Sequence, residues 1–342
     1  MKQSALLLLT HTSRRITRRL SRLPKLCLYV FLSLLPTGFK KRLAITYANE
    51  KKTDGLGAQL QRLVAIRALA MRIKINYLHN KISVLTVHPL DNLEHDVQVA
   101  EFLEKVDLYF HLDSTVEKTW ADEQVSIDSL SILSILKNLL RSVIQKKNIL
   151  IRVIEPYAVM ELLPSDYKRV IPLFYKFPRT ASSPDEIVMH YRYGVGGNVI
   201  QHGEKLPRQI NLLHFRDVIR DIPTEYSDKL RTLRVLTDAP QSAKSFTPNK
   251  NQLHLWEGTP NFNNGSVIIE AFSFDEILGG LGLDLVVEYG GDAVDSLLIM
   301  SRAKVLILSR SSLSYVGALF NENQPLVYSA PKFWHPKMKT WN

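Results

Sequence analysis

Three short stretches gather side chains suited to holding a phosphate. In residues 189–198, MHYRYGVGGN, His190 and Arg192 stand two apart at the end of an expected buried strand. Strand periodicity sends them to the same side. An arginine forks onto phosphate oxygens, and Gly194, Gly196 and Gly197 let a backbone approach a ligand closely. The same residues also fit a structural reading, with Arg192 in a salt bridge and His190 a hydrogen-bonded histidine of the core.

The second stretch is TDGLGAQLQR, residues 53–62, where Gly55 and Gly57 open a loop just before a long apolar-periodic segment. A strand, a glycine turn and a helix in succession would aim free N–H groups and a positive helix end at the turn, which suits a diphosphate. It is equally a plain strand-to-helix turn, because Leu60 stands where a dinucleotide fingerprint has its third glycine. The third stretch is LSRSSLSYVGALFN, residues 308–321. Ser311, Ser312 and Ser314 sit where a strand passes into a helix, so their hydroxyls either face an anion or cap the helix.

A general base is less well marked. Asp54, Glu288, Asp292 and Asp295 lie near the expected turns and strand ends, and each also reads as a cap or a surface carboxylate. The chain contains no Asp-x-Asp pair, the usual ligand set of a metal-bridged diphosphate. No metal is expected.

Alternating strand and helix patterns are expected to position these stretches. Strands are expected at 42–48, 82–87, 148–155, 186–192, 232–238, 283–289, 304–309 and 325–329, and helices at 56–71, 93–106 and 129–145. Proline and small polar residues cluster at 177–186 and mark a boundary. The division is a leader (1–41), an N-terminal Rossmann-like domain (42–180) and a C-terminal Rossmann-like domain (181–342). In the last, a ligand belongs at the carboxyl ends of the strands.

The net charge of +11 is concentrated in the leader: ten basic residues and no acidic one precede Glu50, and the remainder has 34 basic against 33 acidic residues. A near-neutral body excludes a broad nucleic-acid surface. Ile16, Leu20, Leu23 and Cys27 recur at helical spacing among arginines, and LCLYVFLSLL follows. This block is about ten residues, against the roughly twenty a spanning helix needs, so the leader reads as a surface-lying anchor for an anionic membrane. The alternatives are a leader packed on its own domain, a disordered leader, and a signal peptide, for which no clear small-x-small cleavage site follows the block. Cys27 is the sole cysteine, which excludes an internal disulfide and fits a reducing compartment. The expected location is cytoplasmic, peripheral on the inner face of the cytoplasmic membrane.

Taken in order, DGLGAQLQR, HYRYG, LTDAP and SRSSLSYVGALFN resemble successive motifs of the α-1,2-fucosyltransferase-like superfamily, with its related α-1,6- and O-fucosyltransferases. The resemblance extends over most of residues 43–330. It implies an α/β, GT-B-like fold of two Rossmann-type domains facing a cleft. It further implies a GDP-sugar donor, a glycan or lipid-linked saccharide acceptor, and inverting transfer without a metal or other cofactor. On this analogy Arg192 and His190 are the catalytic pair of a His-x-Arg motif, with Arg192 on the donor diphosphate. Gly55, Gly57, Gln59, Gly194, Asp238, Ser312 and Ser314 fall to donor binding. The chain departs from the family at Tyr193 and Val195, where a second basic residue and an acidic one are usual, and at Ala58, where asparagine is usual. Tyr193 and Val195 keep open a donor-binding protein without catalysis, and the basic leader keeps open a membrane-surface adaptor whose body binds no nucleotide.

Overall fold

The computed structural model describes residues 30, 32–47, 56–78, 104–106, 108–110, 120–129, 132–155, 164–173, 185–193, 198–201, 204–207, 209–247, 262–321, 325–332 and 341. The expected strand at 82–87, most of the expected helix at 93–106, the cluster at 177–184, and Asp54, Gly55 and Gly194 lie outside them.

The fold is α/β, and the chain divides into two compact units, each with a parallel sheet. The first unit takes residues 1–50, 62–82 and 112–170, and the second takes 51–61, 83–111 and 171–342. Helix α1 (Leu56–Ile73) therefore contributes its first turns to the second unit and its remainder to the first.

In the first unit, β1 (Leu43–Tyr47), β2 (Asn76–Tyr77), β3 (Glu123–Ser129) and β4 (Ile149–Glu155) form a sheet of order β2-β1-β4-β3, parallel throughout. Every residue of β1 is buried, as a run flanked on both sides in a parallel sheet requires. The helical reading at 129–145 begins three residues late in the structure, because β3 claims Ser129 and helix α2 runs Ile132–Ile144. A last helix, α3 (Pro164–Val170), is tied back to α1 by Arg72, whose guanidinium lies 3.1 Å from the Asp166 carboxylate.

The second unit is built on β5 (Glu186–Tyr191). A β6–β7 hairpin (Asn198–Gln201 and Glu204–Pro207) and helix α4 (Leu212–Arg220) come next. Strand β8 (Thr232–Thr237) is followed by a small antiparallel sheet of β9 (Lys244–Phe246), β10 (Phe262–Asn263) and β11 (Ser266–Ile269). Then come β12 (Asp284–Tyr289), helix α5 (Ala293–Met300), β13 (Val305–Ile307), helix α6 (Ser312–Phe320) and β14 (Leu326–Tyr328).

The main sheet of this unit has the order β12-β8-β5-β13-β14, all parallel. Along the chain these are its third, second, first, fourth and fifth strands, the Rossmann sequence, and its direction of growth reverses between β5 and β13. Apolar side chains alternate across it. Ile187, Met189 and Tyr191 join Phe215, Phe274 and Ile307 on one face, while Val188, Leu236 and Leu306 join Met300 and Ala318 on the other. Helix α6 is buried almost all round, which its apolar sequence permits only inside a core. Arg234 on β8 bridges the neighbouring strands, pairing with Glu186 of β5 at 2.7 Å and with Glu288 of β12.

Candidate functional site

The carboxyl edge of the second sheet carries most of the described candidates, at the point where strand order reverses. His190 is the penultimate residue of β5 and is 6% exposed. Its Nδ1 lies 2.6 Å from Oγ of Ser309, which follows β13, so one hydrogen bond spans the two strands that flank the reversal. Burial pushes the imidazole down to about 4; Asp238 opposes that fall and Arg192 adds to it. At pH 7 the ring is neutral.

Arg192 leaves the same strand and turns to its other neighbour. Its guanidinium meets the Asp238 carboxylate at 2.9 Å, just beyond β8, with both side chains largely covered. The second Asp238 oxygen accepts the Tyr193 backbone N–H at 2.6 Å, so a single carboxylate fixes both the arginine and the direction of the chain after β5. His190 and Arg192 stand at the end of one strand and reach across its opposite flanks. Ala239 donates its backbone N–H to Thr237 Oγ1, which tightens the turn carrying Asp238.

The serines divide their roles. Ser311 is the N-cap of α6, its Oγ accepting the Leu313 N–H at 3.2 Å. Ser314 is fully buried and donates its hydroxyl to the carbonyls of Ser309 (3.2 Å) and Ser311 (3.1 Å), so it shapes the strand-to-helix turn from within. Ser312 stands at the first position of α6 and is partly exposed. Arg310, between Ser309 and the cap, is anchored by its Nε on the Pro331 carbonyl at 2.9 Å.

Gly57 acts through close approach. A Cβ at this position would stand 2.3 Å from the Leu313 backbone nitrogen and 2.7 Å from the Ser312 carbonyl carbon. Only a residue without a side chain lets the first turn of α1 rest on the first turn of α6. Two helix amino ends, each with partial positive charge, therefore meet within the second unit. Gln59, two residues further along α1, is wholly buried.

The described candidates for a base are all engaged. Glu288 pairs with Arg234. Asp292 caps α5, accepting N–H groups of Val294 and Asp295, and lies 3.6 Å from Lys105. Asp295 lies 2.7 Å from the same lysine. The cap and ion-pair reading describes all three. Among the described residues no group of three or more His, Cys, Asp or Glu side chains gathers as metal ligands would.

Sequence reasoning did not single out Ser309 as the partner of His190, although it lies within the quoted serine stretch. It also missed the aromatic cluster beside the strand end. Tyr191 stacks on Phe272 with ring centroids 5.4 Å apart, and Tyr193 meets Phe272 edge-on at 5.0 Å. Tyr193 therefore packs into this wall. Its only sequence signal was the unusual density of Phe and Tyr in AFSF and HYRY.

No protein-family model and no curated protein matches the chain. Among solved structures it is similar to POFUT1 in complex with GDP-fucose, at 11% identity over 84% of this chain and 97% of that one, with a TM-score of 0.41. The same protein in complex with GDP gives 11% identity, the same coverage and a TM-score of 0.40. The E. coli ADP-heptose LPS heptosyltransferase II gives 10% identity over 88% and 89% of the two chains, with a TM-score of 0.34. All three scores fall below 0.5, too low for the likeness to carry a function to this chain.

Proposed function

We propose that the chain is an inverting, metal-independent glycosyltransferase that moves a sugar from a GDP-sugar, fucose first among the donors, to a hydroxyl of a glycan or lipid-linked saccharide. The observation that carries this reading is the place of Arg192 at the carboxyl end of the central strand, where strand order reverses; its ion pair with Asp238 fits the structural reading equally. Departure of a nucleoside diphosphate builds negative charge that a fixed guanidinium neutralises, and preorganised charge of this kind supplies several kcal/mol, roughly, toward the barrier. The ion pair engages one Arg192 nitrogen, and a guanidinium offers five N–H donors in all. The joined helix ends at Gly57 and Leu313 add partial positive charge at the same unit's edge. His190, neutral at pH 7, supplies a hydrogen bond, and the charge comes from Arg192.

One observation favours a second reading. Glu288, Asp292 and Asp295 are all committed to ion pairs or caps, which leaves the described residues without an evident base and fits a protein that binds a donor without transferring its sugar. A base contributes least where the leaving group departs early, so transfer stays the leading proposal.

The test is a titration with GDP, UDP, CDP and ADP in the presence of EDTA, on wild type and Arg192→Ala, followed by GDP release from GDP-sugars with candidate acceptors. Selective GDP binding, weakened about a hundredfold in the variant, supports a donor site at Arg192. Binding without release of GDP supports the second reading. No binding of any nucleotide overturns both and leaves the adaptor.

A further inference from the structure

Helix α2 carries apolar side chains on its outward as well as its inward face. Its inward face carries Ile135 and Leu139 together with the polar Asn138 and Ser142, which satisfy themselves by donating to the Ser134 and Leu139 carbonyls at 2.8 and 2.7 Å. Its outward face carries Leu133, Leu140 and Ile144, exposed by 74%, 61% and 78%. These three recur at seven and four residues, a spacing that lines them along one helical stripe. Scattered exposed apolar residues need no explanation, but an aligned row on one helix does.

The surroundings of the stripe are mainly cationic. Lys137 lies within it, and Lys146 and Lys147 follow the helix, all exposed. Beside the helix stand the carboxylates of Glu123, paired with Arg141 at 2.7 Å, and Asp122, which accepts the Asn148 N–H at 2.7 Å. The turn Thr37–Lys40 packs on α2, and the next two residues, Lys41 and Arg42, are exposed cations, Arg42 donating to the Lys146 carbonyl. Lys40 pins this segment to the first unit by donating to the carbonyls of Ser33 (3.0 Å) and Ile73 (3.1 Å). Leu34, 76% exposed, precedes the same turn. The 29 residues before Val30 contain seven lysines and arginines and no acid.

We propose that the outward face of α2, with Leu34, Lys41, Lys146 and Lys147, is a docking surface for an anionic lipid bilayer. The apolar row enters the headgroup boundary while the lysines keep their ammonium groups at lipid phosphates, as amphipathic side chains do. Reversible membrane binding is marginal with one attachment and stable with two. The face on the folded unit is a second attachment beside the basic leader. Charge complementarity selects the occupant: a second copy would bring the same lysines against one another, whereas an anionic headgroup layer attracts every one of them. This inference is independent of the nucleotide reading.

The experiment uses the full chain and sedimentation with vesicles of phosphatidylcholine alone or of phosphatidylcholine with phosphatidylglycerol. Two double variants are compared with wild type: Leu140→Ser with Ile144→Ser, and Lys146→Gln with Lys147→Gln. The four side chains are exposed, and circular dichroism with thermal melting checks that each variant folds as wild type does. Expected is binding to the anionic vesicles that each pair of changes weakens about tenfold, the lysine effect vanishing in high salt. Absence of wild-type binding overturns the proposal. So do unchanged binding in both variants, which would assign attachment to the leader alone, and loss of self-association in light scattering with vesicle binding intact, which would assign the face to a second copy.

Discussion

The Nδ1 atom of His190 and the Oγ atom of Ser309 lie 2.6 Å apart and join the ends of β5 and β13, the two strands between which the sheet reverses its order. Both side chains are buried, so water is poorly placed to replace either partner. Ser309→Ala leaves a ring nitrogen without its hydroxyl, and an unsatisfied buried polar atom costs about 1–3 kcal/mol. A lowered urea midpoint at pH 7 with an unchanged slope is the expected result. An unaltered midpoint would mean that the bond contributes nothing to stability.

Asp238 is expected to be a positioning residue for Arg192. Its carboxylate holds the guanidinium with one oxygen and the Tyr193 N–H with the other. Asp238→Asn keeps an oxygen for the backbone but loses the charge, so the arginine is released while the turn is largely retained. Because both side chains keep some solvent contact, the stability loss is discounted to about 1 kcal/mol. GDP affinity falls about tenfold if a fixed guanidinium is what the diphosphate meets. The informative comparison is Asp238→Asn with Arg192→Ala: a double variant no weaker than Arg192→Ala shows that the carboxylate acts through the arginine, whereas additive losses contradict it.

Two glycines are expected to resist even one extra methyl group. At Gly57 the clash is with the Leu313 backbone, which has no rotamer to yield, whereas at Gly317 a Cβ would meet Met300 Cβ at 2.7 Å across the α5–α6 contact. Gly57→Ala is expected to lower stability by about 2–3 kcal/mol and Gly317→Ala by about 1–3 kcal/mol, the range of overpacked cores. Gly280→Ala, with open space at its Cβ, is the control. Thermal melting of the three variants decides; equal melting of Gly57→Ala and Gly280→Ala would contradict the close helix approach.

What was legible in the sequence follows from where each signal lies. Strands β1, β4, β5 and β8 are continuous or nearly continuous apolar runs, because a parallel sheet covered on both faces buries successive residues, and their limits fall within about two residues of the expected ones. Strand β3, EQVSIDS, escaped notice because it lies at the sheet edge and alternates exposed polar residues with partly covered ones. Gly57 reads in the sequence as a turn glycine, with or without a ligand, and its close contact with a helix encoded at the far end of the chain leaves no local signal. The His190–Ser309 bond has the same character: the sequence placed each partner at a strand end, and only the order of the strands makes them neighbours.

His190 should make stability depend on acid in a way that its replacement removes. In the unfolded chain its pKa is near the ordinary 6.5, whereas in the folded protein burial holds it at about 4. Below 6.5 the unfolded state binds the proton first, so the contribution of neutral His190 is complete above that pH and is lost as the pH falls toward 4. A gap of this size corresponds to an order of ~3 kcal/mol across the window. Carboxylates titrate near its lower end, so the measurement is a difference: urea midpoints of wild type and His190→Gln from pH 7.5 to 4.5, as about six points. Wild type should lose stability more steeply than the variant between pH 6.5 and about 4.5. Parallel profiles would mean that His190 takes up a proton in the folded protein as readily as in the unfolded one, contrary to a ring buried against Ser309.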